Sequence, residues 1–102
     1  MTEANRVELT GRIAALGALR HTPAGVPVIQ FGIRHESEIP EAGTKRKVSA
    51  EIEAIAFQTH ARMVAGTALN RNVRTLGFLA AKSRRSKKLV LHVTHIEFVE
   101  GE

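Results

Sequence analysis

Cysteine, aspartate, tryptophan and tyrosine are all absent from the 102 residues. Without cysteine, no disulfide framework and no thiolate metal site can form. Without aspartate, every carboxylate side chain is one of ten dispersed glutamates. Long apolar runs are missing too. Nothing approaches the roughly 18 to 20 residues of a spanning helix, and no apolar segment follows a basic start. Export and membrane insertion are therefore not expected, and the lack of cysteine suits a reducing cytoplasm.

What remains is an ordinary globular composition, 43% hydrophobic and 25% charged. A chain of this length makes one domain over residues 1–102, with a modest core that a partner subunit would help to bury. Its charge is uneven. The formal net charge is +5, and the five cations of Lys82-Ser83-Arg84-Arg85-Ser86-Lys87-Lys88 equal it. Between Ala54 and Ile96 stand eight Lys or Arg and no acid. So local an excess favours a positive face and a polyanionic partner, because cations that neutralise phosphates release condensed counterions. The alternative is a hairpin tip kept soluble by its charges.

Alternation sets the fold class. Val7, Leu9, Gly11 and Ile13 share one parity of a first strand, and Gly11 inside it marks a bend that lets one strand serve two sheets. His21 to Pro27 is a turn. Pro27, Ile29, Phe31 and Ile33 then form the core face of a second strand, with Gln30, Gly32, Arg34 and Glu36 outward. Glu36 to Thr44 reads as a polar hairpin loop, and Val48 to Ala54 as a third strand. From Ile55 to Val64 the spacing of Phe57, Ala61 and Val64 predicts a short helix ending near Gly66. The fourth strand, about Asn72 to Lys82, is apolar on both parities, so it lies inside an assembly or against a neighbour. The fifth follows the basic loop, and its change of parity between Val93 and Ile96 predicts a bulge. Five strands with a helix between the third and fourth close naturally as an all-β, five-stranded Greek-key barrel of the OB type.

Catalytic and metal readings find little support. His92 and His95 lie three apart, so on a regular strand they face opposite sides, and they could share a metal only if the bulge expected in this strand brought them round. Ser83 and Ser86 have no base nearby, and no nucleophile-elbow or phosphate-loop pattern occurs. No enzyme, cofactor or metal is expected. In OB folds the second and third strands and the loops joining strands one to two and four to five form the binding surface. Here those places hold Arg20, Arg34, Lys45, Arg46, Lys47, Lys82, Arg84, Arg85, Lys87 and Lys88, which points to nucleic acid. Aromatic residues number only four, all Phe: Phe31 has core parity, Phe57 falls in the predicted helix, Phe98 lies in the final strand, and Phe78 shares a face with Leu76 and Ala80. Base stacking is thus expected to be weak or absent and affinity mainly Coulombic. Two other readings stay open: an interaction module whose loop docks an acidic protein surface, and an RNA-binding OB domain, since backbone contacts do not tell ribose from deoxyribose.

Several segments also resemble a known family. Asn5-Arg6-Val7-x-Leu9-x-Gly11, Thr22-Pro23-Ala24-Gly25-Val26-Pro27 with Gln30-Phe31 and His35-Glu36-Ser37, Gly77-Phe78, and Lys88-Leu89-Val90-Leu91-His92 before Ile96-Glu97 are similar to the primosomal replication protein N (PriB) family. The resemblance implies an OB-fold homodimer that binds single-stranded DNA during replication restart in the primosome. It also implies a partner in the restart helicase PriA and, in some bacteria, a further loader protein. By the same resemblance Arg20 matches a basic DNA contact at the first loop, and Lys82, Arg84, Arg85, Lys87 and Lys88 match the lysines of the loop between strands four and five. Where some members place stacking aromatics, this chain has Thr44 and Ser49.

Overall fold

The computed structural model describes residues 3–100. In chain order the elements are β1 (Val7–Leu16), the two-residue β2 (Arg20–His21), β3 (Pro27–Glu41), β4 (Thr44–Phe57), α1 (Gln58–Ala65), β5 (Asn72–Ser83) and β6 (Ser86–Phe98). The sheet order β1-β5-β6-β4-β3-β2, with a further β1–β3 pairing, closes the five long strands into a barrel. The all-β OB-type expectation holds, with the short helix between the third and fourth long strands.

Closure depends on β1. Its first half, Val7 to Arg12, pairs antiparallel with β5, and from Arg12 to Leu16 it pairs with β3. A Cβ on Gly11 would overlap the Arg34 carbonyl oxygen, so the side-chain-free residue stands where the two neighbours converge. The register shift follows between Ile13 and Ala15. A second close approach lies opposite: Leu76 faces His95 but Gly77 faces Val93, so Thr94 is the extra residue of the bulge expected in the last strand. Its hydroxyl donates to the Leu76 carbonyl at 3.1 Å, and a Cβ on Gly77 would collide with the His92 carbonyl oxygen.

Two boundaries differ from the sequence expectation. The polar stretch 36–44 is strand rather than loop: β3 and β4 stay paired out to Glu41 and Thr44, and only Ala42 and Gly43 turn the chain. Both have positive φ, 53° and 80°, as a two-residue I′ hairpin requires. This ribbon projects beyond the core, so backbone pairing holds it without apolar alternation. The helix also begins later. Ile55, Ala56 and Phe57 belong to β4, where Phe57 opposes Val28 and Ile55 lies beside His92 of β6. Apolar residues at helical spacing here continue a strand flanked on both sides.

The core comprises Ile13, Ile29, Phe31, Ile33, Val73, Leu91, Val93 and Ile96, with Ala61 and Val64 of α1 sealing it. Thr75 is the one polar residue buried as a whole among the described residues, and its hydroxyl donates to the Leu9 carbonyl at 2.8 Å. Gly77→Ala is expected to destabilise the fold by about 2 kcal/mol, because the clash is with backbone. Gly66→Ala, whose Cβ would meet its nearest atom at 3.6 Å, should leave stability within about 0.5 kcal/mol of the native value or slightly above it. Urea midpoints of the two variants measure the contrast.

Candidate nucleic-acid interface

The basic segment folds as the tip of the β5–β6 hairpin. Ser83 pairs with Ser86, so Arg84 and Arg85 form the turn while Lys87 and Lys88 begin β6. All four are exposed, and none has an ion-pair partner among the described residues. Lys82 differs: its ammonium reaches across the sheet to Glu53 of β4 at 3.0 Å. The Ser86 hydroxyl accepts the Lys88 amide at 3.1 Å and tightens the turn. Four unpaired cations at one exposed tip create a field that is screened only by salt.

Lys45, Arg46 and Lys47 lie on the projecting β3–β4 ribbon. Lys45 opposes Pro40 and Lys47 opposes Glu38, while Arg46 pairs with Glu41 at 3.4 Å. Because β4 and β6 run parallel, with Ala54 beside Leu91, this ribbon and the β5–β6 tip leave the same end of the barrel. Arg20 does not join them. On β2 it opposes Val28, which opposes Phe57, at the other end of the same wall.

Between these ends the outer face of β3 and β4 is not basic. Arg34 lies between Glu51 at 3.4 Å and Glu36 at 3.8 Å and donates to the Ser49 hydroxyl at 3.4 Å, while Glu36 also takes Arg12 at 3.2 Å. Glu51 and Glu53 rim a groove of about 490 Å³ floored by Ala15, Leu16, Phe31 and Gly32. Carboxylates at its mouth give it the wrong sign for a phosphate. Of the ten cations read from the sequence, Arg34, Arg46 and Lys82 are thus engaged within the chain, and the other seven are free of ion pairs among the described residues.

The aromatic placement also departs from expectation. Phe57 closes β4 rather than entering the helix, and both it and Phe78 are 38% exposed. His92 stands between them, 4.9 Å from the Phe78 ring at an interplanar angle of 11° and 6.3 Å from the Phe57 ring at 19°. The bulge brings His95 round to the same face as His92, where its ring lies toward His60 at 6.4 Å and Glu97 at 3.4 Å. Among the described residues no three His or Glu side chains gather as a metal-binding group. The ring row is legible only once Phe57 is given strand parity with Ile55.

Comparison with known proteins agrees with the barrel. Residues 5–95 match the model of a single-strand binding protein family. The Replication restart protein PriB of Bordetella pertussis is 39% identical over 97 residues, spanning 95% of this chain and 91% of that one. The solved structure of PriB from Ralstonia solanacearum superposes with a TM-score of 0.86 at 31% identity, covering 96% of this chain and all 100% of the other. A deletion mutant of the single-stranded DNA binding protein from Thermus aquaticus shares the fold, with a TM-score of 0.77 at 21% identity over 96% of this chain and 51% of that chain. On fold, coverage and identity together, the chain belongs to the PriB family of single-strand-binding-like OB proteins.

Proposed function

We propose that this chain is a single-stranded DNA-binding accessory protein of replication restart, which holds the strand electrostatically and stabilises the restart helicase PriA on it. The observation that carries the reading is the β5–β6 tip, where Arg84, Arg85, Lys87 and Lys88 stand exposed and unpaired among the described residues. The relatives' names, replication restart protein and single-stranded DNA binding protein, support it. Arg20, Lys45 and Lys47 add phosphate contacts at the two ends of the barrel, and Arg34, Arg46 and Lys82 contribute only when their carboxylates yield. The protein acts as an adaptor without chemistry of its own, in the cytoplasm. It meets PriA and, where present, a further primosome loader. No described helix is long and apolar enough to cross a membrane. The homodimer implied by the family finds support in β1, since Val7 to Gly11 pairs with β5 alone and leaves a second edge for another copy.

The alternative, a hairpin that docks an acidic protein surface, is favoured by one feature: Leu89 is 55% exposed beside Lys88. Titration separates the two. A labelled oligothymidine contacting about four phosphates should show a slope of log affinity against log salt near −3. Changing Arg84, Arg85, Lys87 and Lys88 to Ala should remove most of that slope. A flat native slope, or polyglutamate competing as well as DNA, would favour the docking reading. Glu53→Gln frees Lys82 and removes an acid from the wall, so it should tighten oligothymidine binding about two- to fivefold at low salt. Anisotropy at two salt concentrations measures this.

A further inference from the structure

Five residues on adjacent strands share one outward row. Antiparallel partners present their side chains to the same face. Arg20 opposes Val28, Val28 opposes Phe57, and His92 opposes Phe78. The β4–β6 step is closed by the stacking of Phe57 on His92. Over the four steps between β2, β3, β4, β6 and β5 the row spans about 19 Å. At its β5 end the Asn5 side chain bridges the Leu79 amide and carbonyl at 2.9 and 2.8 Å, which places Arg6, one residue before the Gly77 partner Val7, alongside Phe78. The row thus has three near-parallel rings in the middle and an exposed arginine at each end. Lys88 and Lys82 lie four positions from His92 and Phe78 toward the basic tip. Cross-strand stacking alone explains why the rings pair. It does not explain why two phenylalanines stay 38% exposed between cations.

We propose that Phe57 and Phe78, braced by His92 between them, form a stacking platform for unpaired nucleobases, with the phosphates held by the β5–β6 tip on one side and by Arg20 and Arg6 at the row's ends. The inference rests on the single-strand reading above and gives it a path. The strand runs from the tip over the β5–β6–β4 wall; on that wall Glu53 is neutralised by Lys82, and Glu36 and Glu51 lie farther along it, paired with Arg34. Every base has a π-face, so such a platform is sequence-tolerant, and its contribution is insensitive to salt. The surrounding charge selects the occupant. A second copy of this chain also carries a net +5 and would bring arginine against arginine, whereas a phosphate chain is complementary to both ends of the row.

The experiment compares oligothymidine with an abasic strand of equal phosphate count, for the native chain and for Phe57→Leu, Phe78→Leu and His92→Gln. Leucine keeps apolar volume and removes the π-face. The native chain should prefer the strand with bases, and each Phe variant should bind oligothymidine about tenfold more weakly with an unchanged salt slope and no loss toward the abasic strand. Equal native affinity for the two strands, or Phe variants that bind as the native chain does, would overturn the platform. A native salt slope near −3 in that case leaves the single-strand reading standing, whereas no native binding to either strand sinks both. A change of oligomeric state in the variants with base preference intact would also overturn it, making the row a subunit contact. Because the chain has no Trp, Phe78→Trp adds a sole reporter on the row. Its fluorescence should be quenched by oligothymidine and not by the abasic strand, and an unquenched reporter contradicts the inference even if other variants fail to fold.

Discussion

Closure of the barrel through β1 is the constraint on which the remaining geometry depends. One strand must hydrogen-bond to β5 over its first half and to β3 over its second, and the two neighbours converge where β1 changes partner. Gly11 is the residue that leaves room for the Arg34 carbonyl. With both long hairpins thus anchored to one strand, β4 and β6 are brought side by side in the single parallel pairing of the sheet among the described residues, Ala54 by Leu91 and Ile55 by His92. That join sends the β3–β4 ribbon and the β5–β6 tip out of the same end, and it also sets Phe57 beside His92.

Charge is distributed over this frame by neutralisation in the middle and excess at the margins. Arg34 shares its guanidinium between Glu36 and Glu51, and Lys82 is held by Glu53. These pairs are partly exposed, and each contributes about 0 to 1 kcal/mol to stability. Their larger consequence is electrostatic: the centre of the β3–β4 wall is left without net positive potential, while Arg84, Arg85, Lys87 and Lys88 keep theirs. A polyanion is steered toward the tip. On the proposed reading the tip supplies long-range attraction and the ring row short-range, salt-independent contact, a division of labour that a wall of scattered cations would lack.

On the proposed reading the protein needs no reactive group, and two of its histidines fit that picture. His92 is stacked between two phenylalanines, and His35 ties β1 to β3 through the Thr10 carbonyl at 2.7 Å while its other nitrogen meets the Ser37 hydroxyl at 2.8 Å. The bulge at Thr94 brings His95 to the same face as His92, but its ring lies toward His60 and Glu97. The imidazoles of His35 and His92 serve strand joining and packing.

Much of this was legible in the chain itself. Period-two alternation in 7–13, 27–36 and 48–54 follows from one wet and one dry face, and Gly11 and the parity switch before Ile96 mark places where backbones crowd. The concentration of cations in 82–88 is a fact of composition that folding does not alter. Three things required the tertiary structure. The ribbon 36–47 carries no apolar alternation because its residues stay exposed apart from the half-buried Ser37, so polarity alone could not distinguish it from a loop. Whether a given arginine is free depends on which glutamate the register brings opposite it, and Arg34 and Glu51 are 17 residues apart in sequence. The ring row draws Phe57, Phe78 and His92 from three strands, with no local spacing to announce it. Sequence determines what alternates and what is charged, since those are properties of neighbours along the chain; only closure of the barrel decides which distant side chains share a face, because that is set by hydrogen-bond register between strands.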